Sequence, residues 1–258
     1  MLAGRRGPTD PIAQNNDCSH KALVPVAGVP MLVRVIRSLR AVPRITKIVI
    51  SIDDPAPLDD LPELSALVES GVLSFHQSGR SPAESVFQYL ERLPVQEPLL
   101  VATADHPLLT PEMIDYFCLA TERNGADVTV GVVAASLFQA YYPASKRTFI
   151  RLRDEGFCGT NLFAFRGPQA AAAAKFWVHA GQFRKRPWRL VSTFGVTALV
   201  LFALRRLDLQ AAIRRASDRL GVCIRVVPMP FAECAIDVDN LDDLTLASRI
   251  LDEREKGE

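Results

Sequence analysis

Pro98-Leu-Leu-Val-Ala-Thr-Ala-Asp105-His106-Pro107-Leu-Leu-Thr110-Pro111-Glu112 is the stretch whose reading decides the fold. Its apolar run from Leu99 to Ala102 has the length of a buried strand, and polarity switches abruptly at Thr103 to Asp105, where such a strand ends. One carboxylate is thereby delivered to a strand's carboxyl end. Ligands of open α/β sheets bind at that edge, and a carboxylate there can hold a divalent cation while Pro107 stiffens the exit turn. Thr110-Pro111-Glu112 is a capping residue followed by proline at a first helical position, so a helix starts on the far side of the loop. A lone Asp-x-Pro reads more simply as a turn cap; what lifts Asp105 above that is the rest of the chain.

Outward from this strand the same alternation recurs. Lys47 to Ile52 is a buried strand ending at Asp53-Asp54, Leu58 to Ser70 has helical spacing, and Gly71 to Phe75 is a second short strand. Ser81-Pro82-Ala-Glu84 is a capping box opening a helix with Val86, Tyr89, Leu90 and Leu93 on one face. Strand-helix alternation of this kind predicts α/β, a mainly parallel Rossmann-like sheet with helices on both faces. Beyond Thr121, the runs Asp127 to Val133, Thr148 to Arg153 and Gly159 to Phe165 alternate with period two and predict an added antiparallel portion. Arg151 and Arg153 then share a strand face, either as solvated charge or as a clamp for an anionic acceptor. The expected organisation is a single domain over 1–258, with 168–220 a helical insertion, a strand from Val222 to Val227, and a charged tail from Asp252 to Glu258 that frays.

Composition narrows the function classes. With 258 residues, 48% hydrophobic and 23% charged, the chain can bury a sizeable core. A net charge of +1 gives no broad field for nucleic acid, so none is expected as partner. Five scattered cysteines, Cys18, Cys118, Cys158, Cys223 and Cys234, lack metal-ligand spacing; with no signal peptide they suggest reduced thiols in the cytoplasm, without zinc or disulfides. The most apolar run, Phe194 to Leu204, is about half of the roughly 20 residues that a spanning helix needs. Beside it stand Arg184-Lys185-Arg186-Pro187-Trp188-Arg189 and Arg205-Arg206. This pattern is read either as a buried helical hairpin with a charged face, the more ordinary case, or as peripheral membrane contact through 184–206 at the inner face of the membrane.

Three further features bear on chemistry. The start, Met1-Leu-Ala-Gly4-Arg5-Arg6-Gly7-Pro8, can offer backbone N–H groups and guanidinium charge to phosphates, although a charged N-terminal tail looks alike. Lys21 precedes a turn or strand-like segment and then a helix whose apolar positions are Met31, Leu32, Val35, Ile36 and Leu39. Near the far end, Asp237-Val-Asp239-Asn-Leu-Asp242-Asp243 is an acidic turn running into a closing helix. A Mg²⁺-bound nucleoside triphosphate requires such a set: donors around the phosphates, a lysine as point charge and hard oxygen ligands for the metal.

At this point the chain resembles the nucleotidyltransferases with a glycosyltransferase-A-like fold, especially the molybdopterin-guanylyltransferase-like group. The resemblance rests on Leu2-Ala3-Gly4 with Arg5 and Arg6, on Lys21-Ala-Leu-Val-Pro-Val-Ala-Gly28-Val-Pro30-Met31-Leu32, on Ala104-Asp105-His106-Pro107-Leu108, and on Ile236-Asp237-Val-Asp239-Asn-Leu-Asp242-Asp243-Leu244. It spans most of the chain outside about 168–220. What it implies is a phosphate loop of Leu2, Ala3 and Gly4 with Arg5 or Arg6, a phosphate-binding Lys21, and a metal-binding Asp105. A second metal ligand falls on Asp237 or Asp239. Gly79-Arg80-Ser81-Pro-Ala-Glu84-Ser85 looks like the segment nearing base and ribose through Arg80 and Ser85, and Asn161 like the residue facing the acceptor. His106 reads as a neighbour of the metal loop rather than a base.

The sequence departs from the family pattern in two places. Arg5 stands where a second glycine is usual, with a longer loop to Lys21, and Met1 directly precedes Leu2 where the family has a strand, so a native start upstream is expected. The implied reaction is Mg²⁺-dependent transfer of a nucleoside monophosphate from a nucleoside triphosphate to a phosphorylated small-molecule or lipid acceptor, releasing pyrophosphate. Arg5, Lys21 and Asp105 carry the chemistry. Two rival readings are a glycosyltransferase using a nucleotide sugar and a non-catalytic nucleotide- or membrane-surface-binding protein.

Overall fold

The computed structural model describes residues 1–4, 10–180 and 195–257. In chain order come α1 (Pro11–Asn15), a 3-10 turn (Lys21–Leu23), β1 (Pro25–Val26), β2 (Val29–Pro30), α2 (Met31–Arg40), β3 (Ile48–Ile52), α3 (Pro62–Glu69), β4 (Leu73–Gln77) and α4 (Pro82–Leu90). There follow β5 (Leu99–Val101), α5 (Pro111–Asn124), β6 (Val128–Ala134), α6 (Ala135–Tyr141), β7 (Ile150–Arg151), β8 (Gly156–Phe165), α7 (Ala170–Ala180), α8 (Val196–Ala203), α9 (Leu209–Leu220), β9 (Ile224–Pro228) and α10 (Leu241–Gly257). The chain forms two compact units, Met1–Ser85 with Ala102–Tyr116 and Ile236–Glu258, and Val86–Val101 with Phe117–Ala235.

In the first unit β3 pairs in parallel with β4. Its Ile48, Ile50 and Ile52 are buried, which is why the stretch reads as a near-continuous apolar run rather than an alternating one. Leu2 forms parallel bridges to Ser51 and to Thr103; its N–H donates to Ala102 O at 2.8 Å, and Ala3 N–H donates to Ser51 O at 2.8 Å. Asp105 therefore follows directly on a paired, extended segment. Helix α2 buries Met31, Leu32, Val33, Val35, Ile36 and Leu39, each side chain contributing about 1.5–3 kcal/mol of burial free energy. The expected start of α5 is present, with Met113 N–H donating to Thr110 Oγ1 at 3.3 Å.

The second unit holds a mixed sheet in the order β5-β8-β6-β9. β8 is antiparallel to β5, to β6 and to β7, while β6 and β9 are parallel. The architecture is thus the expected α/β fold with an antiparallel portion. Between Val130 and Val132 the β6–β8 register shifts, and opposite this irregularity Asn161 adopts a left-handed conformation with φ 55°. On one face of β8, Phe163 and Phe165 stack against Trp177 of α7 with ring centroids 4.7 and 6.4 Å apart.

Three local expectations change. The run from Thr148 to Arg153 contributes only Ile150–Arg151 as strand, because Leu152 N–H turns back to Glu155 O and Arg153 N–H goes to Leu207 O, both at 3.0 Å. Arg151 and Arg153 consequently do not share a strand face. The helix expected over 58–70 begins at Pro62, with a separate 3-10 turn at Ala56–Leu58 before it. In the Ser81 capping box, Glu84 N–H donates to Ser81 Oγ at 3.2 Å as expected, and the Glu84 carboxylate also accepts Arg80 N–H at 2.8 Å. The tail from Asp252 continues helical to Gly257. Within 168–220 the described residues form α7, α8 and α9, whereas Arg184 to Arg189 with Trp188 lie outside the described residues.

Two neighbouring glycines separate a packing requirement from a mere preference. A side chain at Gly131 would collide with Thr160 Oγ1, which is itself buried, whereas one at Gly159 would meet nothing within 4 Å. Gly131→Ala should destabilise the protein by about 1–3 kcal/mol, and Gly159→Ala should leave the midpoint of a urea or thermal melt within experimental scatter of the parent.

Candidate active site

The site is assembled in the first unit from chain segments far apart in sequence. Asp105 follows the extended Ala102–Ala104, held by Leu2 N–H to Ala102 O and by Ala104 N–H to Leu2 O at 2.9 Å. Its own carbonyl accepts a 2.8 Å hydrogen bond from Val238 N–H. That contact brings the segment Ile236–Asp239 alongside, with Ile236 and Val238 buried and the alternate positions, Asp237 and Asp239, carrying the carboxylates. Asp105, Asp237 and Asp239 can each offer one oxygen within 4.8 Å of the others.

The acidic segment is fixed by the helix after it. Asn240 Oδ1 accepts from Asp243 N–H at 3.0 Å at the start of α10, and the buried Asp243 carboxylate accepts from Asp239 N–H at 3.1 Å. Asp243 therefore positions Asp239, while Asn240 caps the helix. Neither residue was identified as a site residue in the sequence, although the Asn-x-x-Asp spacing resembles a capping box.

Lys21 supplies the positive charge. Its Nζ donates to Asp105 Oδ2 at 2.8 Å and to Asp239 Oδ1 at 3.1 Å, with the Lys21 and Asp105 side chains 15% and 14% exposed. Burial pulls the ammonium's pKa down, but the charges of Asp105 and Asp239 and the hydrogen bonds they accept outweigh it and hold Lys21 above its ordinary value. The lysine is consequently a permanent cation in a pocket of carboxylates. Three carboxylates of hard oxygen at this spacing suit Mg²⁺, which prefers such donors and usually retains several waters.

The turn bearing Lys21 has its own support. His20 is buried, its Nδ1 accepts from Ala22 N–H at 3.1 Å, and its Nε2 stands 3.4 Å from Asp53 Oδ1 beyond the end of β3. Sequence reading passed over both residues, since a histidine preceding a lysine carries no spacing signal.

The other sequence-derived candidates fall as follows. Leu2 and Ala3 sit in the paired segment beside Ser51 and Thr103, and Gly4 lies where a side chain would come within 3.1 Å of Ser78 Cβ. Arg5 and Arg6 lie outside the described residues. Arg80 is exposed in the loop before α4; the buried Ser85 hydroxyl accepts from Gly79 N–H at 2.9 Å and donates to Ser81 O at 3.2 Å, bracing that loop from inside. Asn161 belongs to the second unit. His106 is buried beside Asp105 in the chain. No helix among the described residues is long and apolar enough to cross a membrane.

Comparisons with known proteins give this geometry a context. Residues 16–219 match the model of the MobA-like NTP transferase domain family. Among solved structures, a hypothetical transferase from Thermus thermophilus superposes with a TM-score of 0.74 at 29% identity, covering 94% of this chain and 98% of that one. A 4-diphosphocytidyl-2C-methyl-D-erythritol synthase from Anaerococcus prevotii gives 0.55 at 15% identity, covering 97% and 96%. A CMP:2-keto-3-deoxy-manno-octonic acid synthetase complexed with CTP gives 0.56 at 13%, covering 98% of each chain. At these last two identities the likeness is one of fold. No curated protein sequence matches the chain.

A divalent cation held by these carboxylates would compete with the lysine for the same oxygens. In Lys21→Met, Mg²⁺ should raise the melting temperature more than in the parent, by about 2–4 °C for each kcal/mol of competition removed. An equal Mg²⁺ response in both proteins would show that the two cations occupy different places.

Proposed function

We propose, for a chain that belongs to the MobA-like NTP transferase domain family and is a nucleotidyltransferase, that it moves a nucleoside monophosphate from a nucleoside triphosphate to a phosphorylated acceptor and releases pyrophosphate in a Mg²⁺-dependent reaction. The observation that carries this reading is the convergence of Asp105, Asp237 and Asp239 with Lys21. Pyrophosphate release distinguishes it from glycosyl transfer, which liberates a nucleoside diphosphate. The reading treats 1–258 as one domain in which 168–220 is a helical insertion.

In this mechanism Asp105, Asp237 and Asp239 hold Mg²⁺, which when bound supplies positive charge at the reacting phosphate. Lys21 turns from its carboxylate partners toward the β- and γ-phosphates, together with Arg5 or Arg6, while Leu2, Ala3 and Gly4 form the floor of the phosphate loop. Gly4 fits that role because it already lies close against Ser78. Arg80 with Ser85 faces base and ribose, and Asn161 faces the acceptor. An acceptor phosphate is already ionised, so its oxygen attacks the α-phosphorus in line without a strong general base. The protein's contribution is alignment and charge neutralisation.

Two neighbours of the same fold carry cytidylyl chemistry or CTP in their names, which makes CTP one donor to test alongside ATP, GTP and UTP. One of the four should raise the melting temperature only with Mg²⁺. Asp105→Ala should then lose pyrophosphate release by about 100-fold or more, equivalent to roughly 3 kcal/mol of transition-state stabilisation, while retaining its fold by circular dichroism. Retained turnover of that variant under saturating Mg²⁺ would sink the assignment.

A second reading concerns the acceptor. Val196 and Val200 of α8 and the following Leu204 are 77%, 48% and 60% exposed, and the exposed Arg205 and Arg206 come next. An apolar face beside arginines suits the surface of an anionic bilayer, and it favours a lipid phosphate as acceptor for a cytoplasmic enzyme that touches the membrane peripherally. Co-sedimentation with vesicles containing anionic phospholipid should occur for the parent and fall several-fold in Val200→Asp. Equal recovery of both proteins with anionic and zwitterionic vesicles would exclude the lipid surface.

A further inference from the structure

His20 is a buried imidazole at the edge of the site with no part in the chemistry described above. It stands one residue before Lys21; its Nδ1 accepts Ala22 N–H and its Nε2 lies 3.4 Å from Asp53 Oδ1. Lys21 opens the 3-10 turn Lys21–Leu23, and the first N–H groups of such a turn find no acceptor within it. The imidazole Nδ1 takes Ala22 N–H, as the side chain of a helix-capping residue would. Because Nδ1 accepts, the neutral ring carries its proton on Nε2, the nitrogen 3.4 Å from Asp53 Oδ1. An asparagine or serine could cap the turn but would end short of Asp53. Histidine is long enough to do both.

The ring is thus a strut between the carboxyl end of β3 and the backbone that carries Lys21. The turn is closed on its other side by Val24 N–H to Lys21 O at 3.1 Å, and Met31 N–H to Val24 O at 3.1 Å ties it to the start of α2. With backbone fixed at both ends, the flexible lysine stem needs only its own rotamers to reach from Asp105 toward a phosphate. Without the strut, Ala22 N–H loses its acceptor and the turn that carries the ammonium is held on one side only.

We infer that His20 is a positioning residue for Lys21, acting through its Nδ1 cap on Ala22 and its Nε2 contact with Asp53, and so sets the strength with which the site holds the phosphates of its nucleotide. This rests on the reading of Lys21 as the phosphate-facing cation, and the test separates the two.

Three variants discriminate. His20→Leu removes both polar contacts, His20→Asn retains an acceptor for Ala22 N–H, and His20→Gln retains a polar group toward Asp53. The first readout needs no activity: acetylation of Lys21 by acetic anhydride, followed by mass spectrometry with the exposed Lys146 and Lys256 as internal references. Lys21 should be protected in the parent, several-fold more reactive in His20→Leu, and of intermediate reactivity in His20→Asn and His20→Gln, each of which keeps one of the two contacts. The second readout is pyrophosphate release with the nucleotide that the thermal-shift panel selects. His20→Leu should lower kcat/KM by about 10- to 100-fold, the scale of a misplaced catalytic group, with His20→Asn and His20→Gln each recovering part of it. In a Lys21→Ala background the same His20→Leu change should cost no further turnover. An equal loss with and without Lys21 would mean a merely structural role and overturn the inference, as would unchanged Lys21 protection in His20→Leu. If that variant fails to fold, identical Lys21 reactivity in His20→Asn, His20→Gln and parent overturns it equally. Should the parent release no pyrophosphate from any nucleotide, the proposed function fails, and the acetylation pattern alone still decides what His20 does.

Discussion

A single peptide-to-peptide hydrogen bond, Val238 N–H to Asp105 O, is the contact on which the site depends. Asp105 is presented by an extended segment threaded past Leu2, while Asp237 and Asp239 come from the approach to the last helix. Only where these two backbones meet do three carboxylates converge. A main-chain contact does this better than a side-chain one, because it fixes the direction of the chain without using a carboxylate oxygen of the cluster. The alternation along Ile236 to Asp239 completes the arrangement: buried Ile236 and Val238 anchor the segment, and Asp237 and Asp239 join Asp105 in the carboxylate cluster.

The supports behind that contact work through helix ends. Asn240 caps α10 and Asp243 reaches back to Asp239 N–H, so the closing helix holds the acidic turn in place through two hydrogen bonds. His20 does the corresponding task for Lys21 at the other end of the chain. Lys21 and Asp239 lie 218 residues apart in sequence, yet each is held locally by a cap within four residues of itself. Long-range convergence is therefore built from short-range devices.

How much of this was legible in the sequence follows from the range of the interactions. Asp105 could be read because the switch from apolar strand to polar loop is a local pattern, and Ile48 to Ile52 because burial on both faces leaves an unbroken apolar run. Lys21 and the Asp237-x-Asp239 turn could be joined to Asp105 by what a metal-bound triphosphate requires, but their individual roles came only from resemblance to a known group, whose motifs at Leu2 and Asp237 lie outside the 16–219 covered by the family match. His20, Asp53 and Asp243 were missed because each acts through one backbone N–H or one side-chain contact, and neither spacing nor polarity announces that. The strand expected from Thr148 to Arg153 failed for the complementary reason: alternation was present, but the turn at Leu152 and the bond from Arg153 to Leu207 O took the backbone groups a longer strand would need.

Charge gives the arrangement its direction. Lys21 is mostly buried, and desolvation alone would favour its neutral form; the adjacent carboxylates reverse that and keep it charged. One ammonium among three carboxylates still leaves a formal excess of two negative charges, which a single divalent cation balances. Once such a cation is present, the carboxylates have less need of the lysine, and an incoming polyphosphate has more. In the proposed reaction the same three acids would hold Lys21 until a metal ion takes their charge, and its side chain could then turn toward phosphate on a backbone that Val238 and His20 bond in place.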